Sequence, residues 1–487
     1  MIDIQVRIHD RFSVEFKMGF LVPKKQKKND FVVNTWIFIP SGLDIHASTY
    51  SKNQFYRDIT SYIRLITPIY NLREIADEES LPFMFLQGSF NELIAEPTKE
   101  NLNEYEHQIK MFTAIVRSAL RREGYVIANS AVSGRLEIVQ TYIQNIRRII
   151  AGFRKWGNII RTASLPTEAI SYFTFGDEFL SYLIEQHGFR LLRLLKDQEA
   201  EDYPAIEPLL MELIRQEIRY KKACGYIVAD SQSPDQNRTY IHHARILKRY
   251  IESQLFLGAE KKKDGRLTEQ VYLSIAAGLS MVFATAVAFS VQQQFENYTM
   301  PLFVALVVSY ILKDRIKELA RYYFARHLSK KHFDNKTTVR IKNTVIGQFK
   351  EGTDFISEAH VPKEIVELRN RSDLLEADNR YAKEKILLYR KLVNIDGEKL
   401  DTGNQYDISG INNILRFNIS NFVLKMDNPE VPISVPNAAG GFDVISGKRI
   451  YYLNFLVRLE YENTVAYRRF RLSMSRSGIE GIEDCNF

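Results

Sequence analysis

The sequence predicts an α+β membrane protein: a small N-terminal β-meander followed by a helical domain, a two-helix transmembrane hairpin, and a C-terminal α+β domain with an antiparallel sheet. Three observations carry this expectation. Two apolar runs, Val271–Val291 and Met300–Leu312, lie close together past the middle of the chain. Near both ends, apolar and polar residues alternate with the period of half-buried strands. Between the first strands and the apolar runs, apolar residues recur every three or four positions, the period of helices.

At the N-terminus Ile2, Ile4, Val6 and Ile8 alternate with polar residues, as do Phe12, Val14, Phe16 and Met18. Phe31–Ile39 supplies a third strand, so residues 1–40 are expected to fold as a meander, with strands over 2–39. Lys24, Lys25, Lys27 and Lys28 fall on its second turn and are read as a solvated loop. Residues 41–260 are expected to form a helical cytoplasmic domain. Phe55, Ile59, Tyr62, Ile63 and Ile66 mark one helix, and Thr98 caps another that stops at Gly124. Leu136, Val139, Ile143, Ile146, Ile150 and Phe153 step by three and four. That seam covers under three heptads, so a core helix is favoured over a coiled-coil dimer. Further helices are expected near 177–196, 205–222 and 238–257, with Asp230–Arg238 as a loop.

Val271–Val291 holds 21 residues and no charge. As a helix it is about 30 Å long, the thickness of a bilayer's hydrocarbon core. Met300–Leu312 gives only about 20 Å. Starting at Phe295 lengthens it to a span and leaves Glu296 at the interface, and Pro301 is tolerated in a first turn. The hairpin is therefore placed at 271–312, with a basic juxtamembrane amphipathic helix over 313–331.

The flanks orient it. Lys261, Lys262, Lys263 and Arg266 precede the first run, and Lys313, Arg315, Lys317 and Arg321 follow the second, whereas Gln292–Thr299 has neither Lys nor Arg. The positive-inside rule places these residues at the inner leaflet and both termini in the cytoplasm. Ala276, Ser280, Ala284 and Ala288 recur every four residues, a small-residue face suited to close helix packing in lipid. It could meet the second run or another copy, which leaves a homo-oligomer through the hairpin open. No ionisable residue lies inside either run, which argues against an ion path carried by buried charge.

Residues 336–487 read as a second cytoplasmic domain. Strands are expected at 339–342, Thr344–Phe349, Ile414–Met426, Arg449–Glu462 and Thr464–Ser475, with a charged helix over Lys363–Lys391. Facing Tyr467, Phe470 and Leu472 against the preceding strand calls for a bulge. Pro429, Pro432 and Pro436 with Ala438-Ala-Gly-Gly mark a long loop.

Composition narrows the function classes. Hydrophobic residues at 45% and charged residues at 26% are those of folded protein, so the regions outside the hairpin should bury cores. The net charge of +7 concentrates at the hairpin flanks and is read as membrane topology in preference to nucleic-acid binding. Met1–Asp10 lacks a basic n-region and a long apolar stretch, so targeting is expected to rest on the internal runs. Cys224 and Cys485 make neither a metal pattern nor a disulfide framework.

Short motifs add little. Gly441–Arg449 resembles a phosphate loop but lacks Ser or Thr after Lys448 and leads into a strand. Asp401-Thr-Gly403 has the letters of an aspartic-protease loop, but Lys399 and Asn404 surround it and an Asx turn is expected. His242, His243, His327 and His332 form no ligand set. No cofactor or metal is expected. The expected function is a non-enzymatic, membrane-anchored cytoplasmic scaffold or sensor. The alternative is an oligomeric membrane-disrupting or channel-forming effector gated by its cytoplasmic domains. The expected partners are the lipid bilayer and a cytoplasmic protein or ligand that the sequence does not name.

Overall fold

The N-terminal alternation produces strands, but not the meander. β1 (Ile2–Asp10) and β2 (Ser13–Leu21) pair antiparallel. β3 (Asn29–Ile39) leaves them and inserts between two strands from the C-terminal third of the chain. Its composition explains why. Phe31, Val33 and Ile37 on one face and Trp36 and Phe38 on the other are all buried, which suits a central strand covered on both sides. α1 (Lys52–Asp58) starts at a capping box between Ser51 and Gln54. At Ile59, where a helix was expected to continue to Ile66, β4 (Ile59–Leu65) begins instead. The run Ile-Thr-Ser-Tyr-Ile is rich in β-branched and aromatic residues and takes an edge position.

The middle of the chain is helical as its spacing predicts. It contains α2 (Leu72–Ile75), α3 (Leu81–Ala95), α4 (Lys99–Ala128), α5 (Val132–Thr162), α6 (Thr167–Asp197), α7 (Tyr203–Ala223) and α8 (Pro234–Glu252). The Thr98 hydroxyl accepts from the Asn101 amide at the start of α4. Gly124 does not stop that helix, which runs four residues further to Ala128. α5 carries the predicted seam, and Val139, Ile146 and Phe153 are fully buried in the core of this helical unit. Ser233 caps α8 inside the stretch expected to be a loop.

The chain then runs β5 (Gly258–Lys263), α9 (Arg266–Gln294), α10 (Met300–Lys331), β6 (Asn335–Ile341), β7 (Thr344–Ile356), α11 (Lys363–Arg369), α12 (Asp373–Tyr381) and β8 (Lys385–Ile395). The single helix expected over Lys363–Lys391 is thus two short helices and a strand. Ile386, Tyr389, Lys391 and Val393 are buried in β8, which pairs with β3 and β7. α13 (Gly397–Thr402), β9 (Gly410–Asn418) and α14 (Ser420–Val423) follow, so the strand expected over Ile414–Met426 starts earlier and ends in a helical turn. The Pro-rich loop is a two-stranded arm of β10 (Glu430–Pro436) and β11 (Phe442–Lys448). β12 (Tyr451–Tyr461), β13 (Thr464–Ser475) and β14 (Gly478–Asp484) complete the chain. Phe470 and Leu472 sit opposite Phe455 and Leu453 without a bulge, while Tyr467 turns to the other face with Trp36.

Helix and antiparallel sheet therefore mix throughout, in two compact units. The structure, a computed structural model, describes residues 1–23, 26–162, 165–294, 300–331, 333–381, 383–402, 405–438 and 440–485. The helical unit comprises Arg64–Leu257 with Tyr406–Ile408. The other unit joins Met1–Ile63, Gly258–Gln405 and Ser409–Phe487, so residues 1–40 and 336–487 are not separate domains. Residues 41–63 and 258–260 also fall outside the helical unit.

The second unit is a sandwich. A four-stranded sheet, β1-β2-β9-β4, faces the eight-stranded sheet β14-β13-β12-β3-β8-β7-β6-β5. Phe16 of β2 meets Phe455 of β12 at 5.1 Å between ring centres, and Phe20 meets Phe31 at 5.3 Å. The opposite face of the large sheet, at Trp36, Phe38, Ile386 and Leu456, is covered by Ile365 of α11.

Candidate functional site

The site singled out is the helical hairpin α9–α10 and its neck. The hairpin rises from the open edge of the large sheet. β5 and β6 pair antiparallel from Gly258↔Arg340 to Lys263↔Asn335, so the chain leaves and re-enters the sheet at one place. Lys261, Lys262 and Lys263 lie on this edge strand. Lys261 Nζ is 3.6 Å from Glu351 and 4.8 Å from the Tyr56 ring centre, and Lys262 pairs with Glu260 at 2.6 Å. The Arg266 side chain lies outside the described residues.

Two aspartates brace the neck. The Asp264 amide donates to the Asp334 carbonyl at 3.3 Å, and the Asp264 carboxylate pairs with Lys350 at 3.3 Å. The Asp334 carboxylate accepts from Lys52 at 3.0 Å, from the Tyr56 hydroxyl at 3.0 Å and from the Thr353 amide at 2.8 Å. Burial disfavours the Lys52 ammonium, but Asp354 and Asp334 outweigh it and raise its pKa. Burial, followed by the negative charge of Asp334, pushes the Tyr56 hydroxyl well above its ordinary range.

Above the neck, α9 packs against α10. Ala276 and Ser280 are fully buried, and Ala284 and Ala288 are half-buried, so the small-residue face meets the second helix within one chain. On α10 the matching stripe is Ala305, Ser309, Lys313, Ile316 and Ala320. The Ser309 hydroxyl donates to the Ala284 carbonyl at 3.4 Å. Ser274, Ser280 and Thr285 donate back to their own helix, at 2.8–2.9 Å, and so carry no unpaired hydroxyl outward.

These contacts set a register. Ala284 lies beside Ser309, and Asp264 beside Asp334. Counting one helical turn toward the neck brings Ser280 beside Lys313. The charged stretch Lys313–Arg321 therefore runs along the apolar first half of α9, not beyond it. Only the distal half, Met281–Val291 with Met300–Leu312, is apolar on both helices, a depth of about 20 Å. Of the two crossings expected from the sequence, the second is not confirmed among the described residues. α9 is long and apolar enough to cross a bilayer, with a mean hydropathy of 1.9 over Gln270–Gln293. Among the described residues α9 alone meets that test; in α10 the run Met300–Leu312 continues directly into charge within one helix.

The outer surface of the hairpin is apolar and open. Val271, Leu279, Val282 and Phe289 on α9, and Phe303, Val304, Val308 and Ile311 on α10, are each more than two-fifths exposed. Exposed apolar side chains gathered on one hairpin are the kind of surface that meets lipid or another protein. Lys313 is half-buried with Nζ 3.7 Å from the Tyr310 ring centre, Arg315 pairs with Glu318 at 3.6 Å, and Lys317 and Arg321 are exposed.

Other motifs resolve locally. β11 runs through Gly447-Lys448, so no helix N-terminus follows that loop. Asp401 sits in α13, while Gly403 and Asn404 lie outside the described residues, as do Lys24, Lys25, the 295–299 link, His332 and the side chains of Pro301 and His327. His243 contacts Glu178 at 2.9 Å, and His242 is exposed.

A groove of about 690 Å³ holds a row the sequence reading passed over. His46 is 3.0 Å from Asp44 and 2.9 Å from Ser48. Lys425 pairs with this exposed Asp44 at 3.0 Å and holds its carboxyl below the usual range. A hydrolase triad needs a buried acid committed to the imidazole, and this turn does not provide one.

Sequence reasoning also missed buried charge in the helical unit. Arg154 donates to Asp177 at 2.9 Å, to Glu217 at 2.8 and 3.1 Å and to Ser181 at 2.7 Å. Tyr220 and Tyr226 donate to the other Asp177 oxygen at 2.7 and 2.9 Å. The only signal was Arg154 beside the α5 seam.

No protein-family model, curated protein or solved structure matches the chain.

Proposed function

We propose that the protein is a membrane-anchored, non-enzymatic scaffold or sensor, held by partial insertion of the α9–α10 hairpin, with the chain before and after it on the cytoplasmic face. The observation that carries this reading is the open apolar surface on the distal half of both helices. The register adds to it. A full crossing by one copy would put Lys313, Asp314, Arg315, Lys317, Glu318 and Arg321 at the depth of the apolar half of α9. Each charge at the centre of a span costs about 2.5–3.5 kcal/mol on the insertion scale, so a lone hairpin favours lipid contact for its distal half and headgroups for its charged half. Lys317 and Arg321, exposed beside the apolar flank of α9, suit anionic headgroups.

One observation favours a second reading. In an oligomer with α10 turned inward, the same charged half would line a shared aqueous passage while α9 faced lipid, as in a channel-forming effector. Co-flotation with vesicles tests both. Binding without dye release, abolished by Val282→Lys with Phe289→Lys, supports the anchor. Binding with dye release that rises steeply with protein concentration supports the pore. Failure to float refutes both.

A further inference from the structure

The arm of β10 and β11 is a sheet of its own, and no third strand pairs with it among the described residues. It is apolar on both faces. Ile433 and Ile445 sit opposite each other on one face, Phe442 and Val444 lie on the other, and all four are exposed. A two-stranded ribbon is marginally stable by itself, and added strands are what secure it.

The backbone shows which edge is open. The Arg449 amide donates to the Pro429 carbonyl at 2.7 Å, and the Asn437 amide donates to the Gly441 carbonyl at 3.0 Å. With Ile433 opposite Ile445, the odd-numbered residues are therefore the hydrogen-bonded pairs of the arm, and the even-numbered ones turn their backbone groups outward. On β10 these include Pro432 and Pro436, which have no N–H to offer, so that edge is blocked. On β11 they are Phe442, Val444, Ser446 and Lys448, a run without proline. An unprotected edge of this kind is a template for another strand. Hydrocarbon would leave the same N–H and C=O groups unpaired, which disfavours lipid as the occupant.

A second copy presents the same open edge, and β11 is complementary to itself. Laid antiparallel about Ile445, two copies overlap over the whole strand. Each Asp443 then opposes Gly447, each Val444 opposes Ser446, and each Phe442 lies against the stem of Lys448, whose ammonium pairs with Glu480 at 2.5 Å. No like charges are opposed, whereas a parallel alignment sets Asp443 beside Asp443. We propose that β11 pairs antiparallel with β11 of a second copy of this chain. The product is a four-stranded sheet, β10-β11-β11-β10, with the proline-blocked strand on both outer edges. The contact is independent of the hairpin, so its test does not stand or fall with membrane anchoring.

The test uses the full chain in detergent micelles, in a Cys224→Ser, Cys485→Ser background. Across the twofold axis Ile445 faces Ile445 in a non-hydrogen-bonded pair, where the two backbones come closest. Ile445→Cys should cross-link between chains under mild oxidation, and Ile433→Cys, on the blocked strand, should not. Ser446→Pro removes an outward N–H and spares the arm's own bonds, so it should slow cross-linking at 445 roughly tenfold or more. Ser434→Pro makes the same change on the edge already blocked and should leave the rate unchanged, which separates lost pairing from damage to the arm. A cross-link at 445 that Ser446→Pro does not slow, or that Ser434→Pro slows equally, overturns the proposal. So does absence of the cross-link; a dye at Val444→Cys quenched from within lipid vesicles would then give the arm to the membrane.

Discussion

The Ser309 hydroxyl on α10 donates to the Ala284 carbonyl on α9 at 3.4 Å, and this contact aligns an apolar helix with one that turns charged halfway along. Ala276 and Ser280 are buried on the same seam. In a Cys224→Ser, Cys485→Ser background, Ala284→Cys with Ser309→Cys should therefore cross-link within one chain under mild oxidation. Ala284→Cys with Tyr322→Cys should not, because that pair is displaced by more than three turns. Cross-links found only between chains would show that the seam joins copies.

The neck should hold by its aspartates. Asp334→Asn weakens the acceptor for Lys52, Tyr56 and the Thr353 amide together. The expected loss is about 1–3 kcal/mol, read from urea unfolding. Vesicle binding should persist, since the apolar surface is untouched.

Arg154 should matter far more than its position on α5 suggests. Arg154→Ala leaves Asp177 and Glu217 buried without their cation. Removing one partner from such a pair costs about 3–5 kcal/mol. Arg154→Lys should recover only part of this, because an ammonium cannot bridge both carboxylates as the fork does. Calorimetric melting of the two variants checks the order.

The helical unit should weaken in mild acid through His187. The unfolded chain takes up this proton near 6.5, whereas the folded imidazole holds out to about 4. Between these values the unfolded state binds more protons, so stability falls as pH drops from 6.5 to 4, by up to about 3 kcal/mol. His187→Gln should flatten that part of the stability–pH curve. An unchanged slope would place the acid sensitivity elsewhere.

The helical unit was legible in the sequence because a helix satisfies its own backbone, so Val139, Ile146 and Phe153 announce a buried face by spacing alone. The sheets were not, because a strand is defined by partners far along the chain. β3 reads as a meander strand until β8 and β12 take its two edges. β5 was invisible for a different reason: its Lys261, Lys262 and Lys263 form an exposed edge with no apolar face to read. Pro432 and Pro436 suggested a loop but sit in a two-stranded arm, where a missing N–H costs little. At the hairpin, the apolar runs and the small-residue face could be read from the sequence. The offset between the charged half of α10 and the apolar half of α9 could not, since the hydropathy of one helix carries no information about what lies alongside it.

The most direct test of the central claim is the depth of the hairpin in a bilayer. Single cysteines at Phe289, Phe303, Val271 and Tyr322, labelled with an environment-sensitive dye, are placed in vesicles carrying quenchers at known depths. Partial insertion predicts quenching of the 289 and 303 labels deep in the hydrocarbon, and of the 271 and 322 labels at the headgroups. Four labels quenched only from water, or the 322 label quenched as deeply as the 303 label, would contradict it.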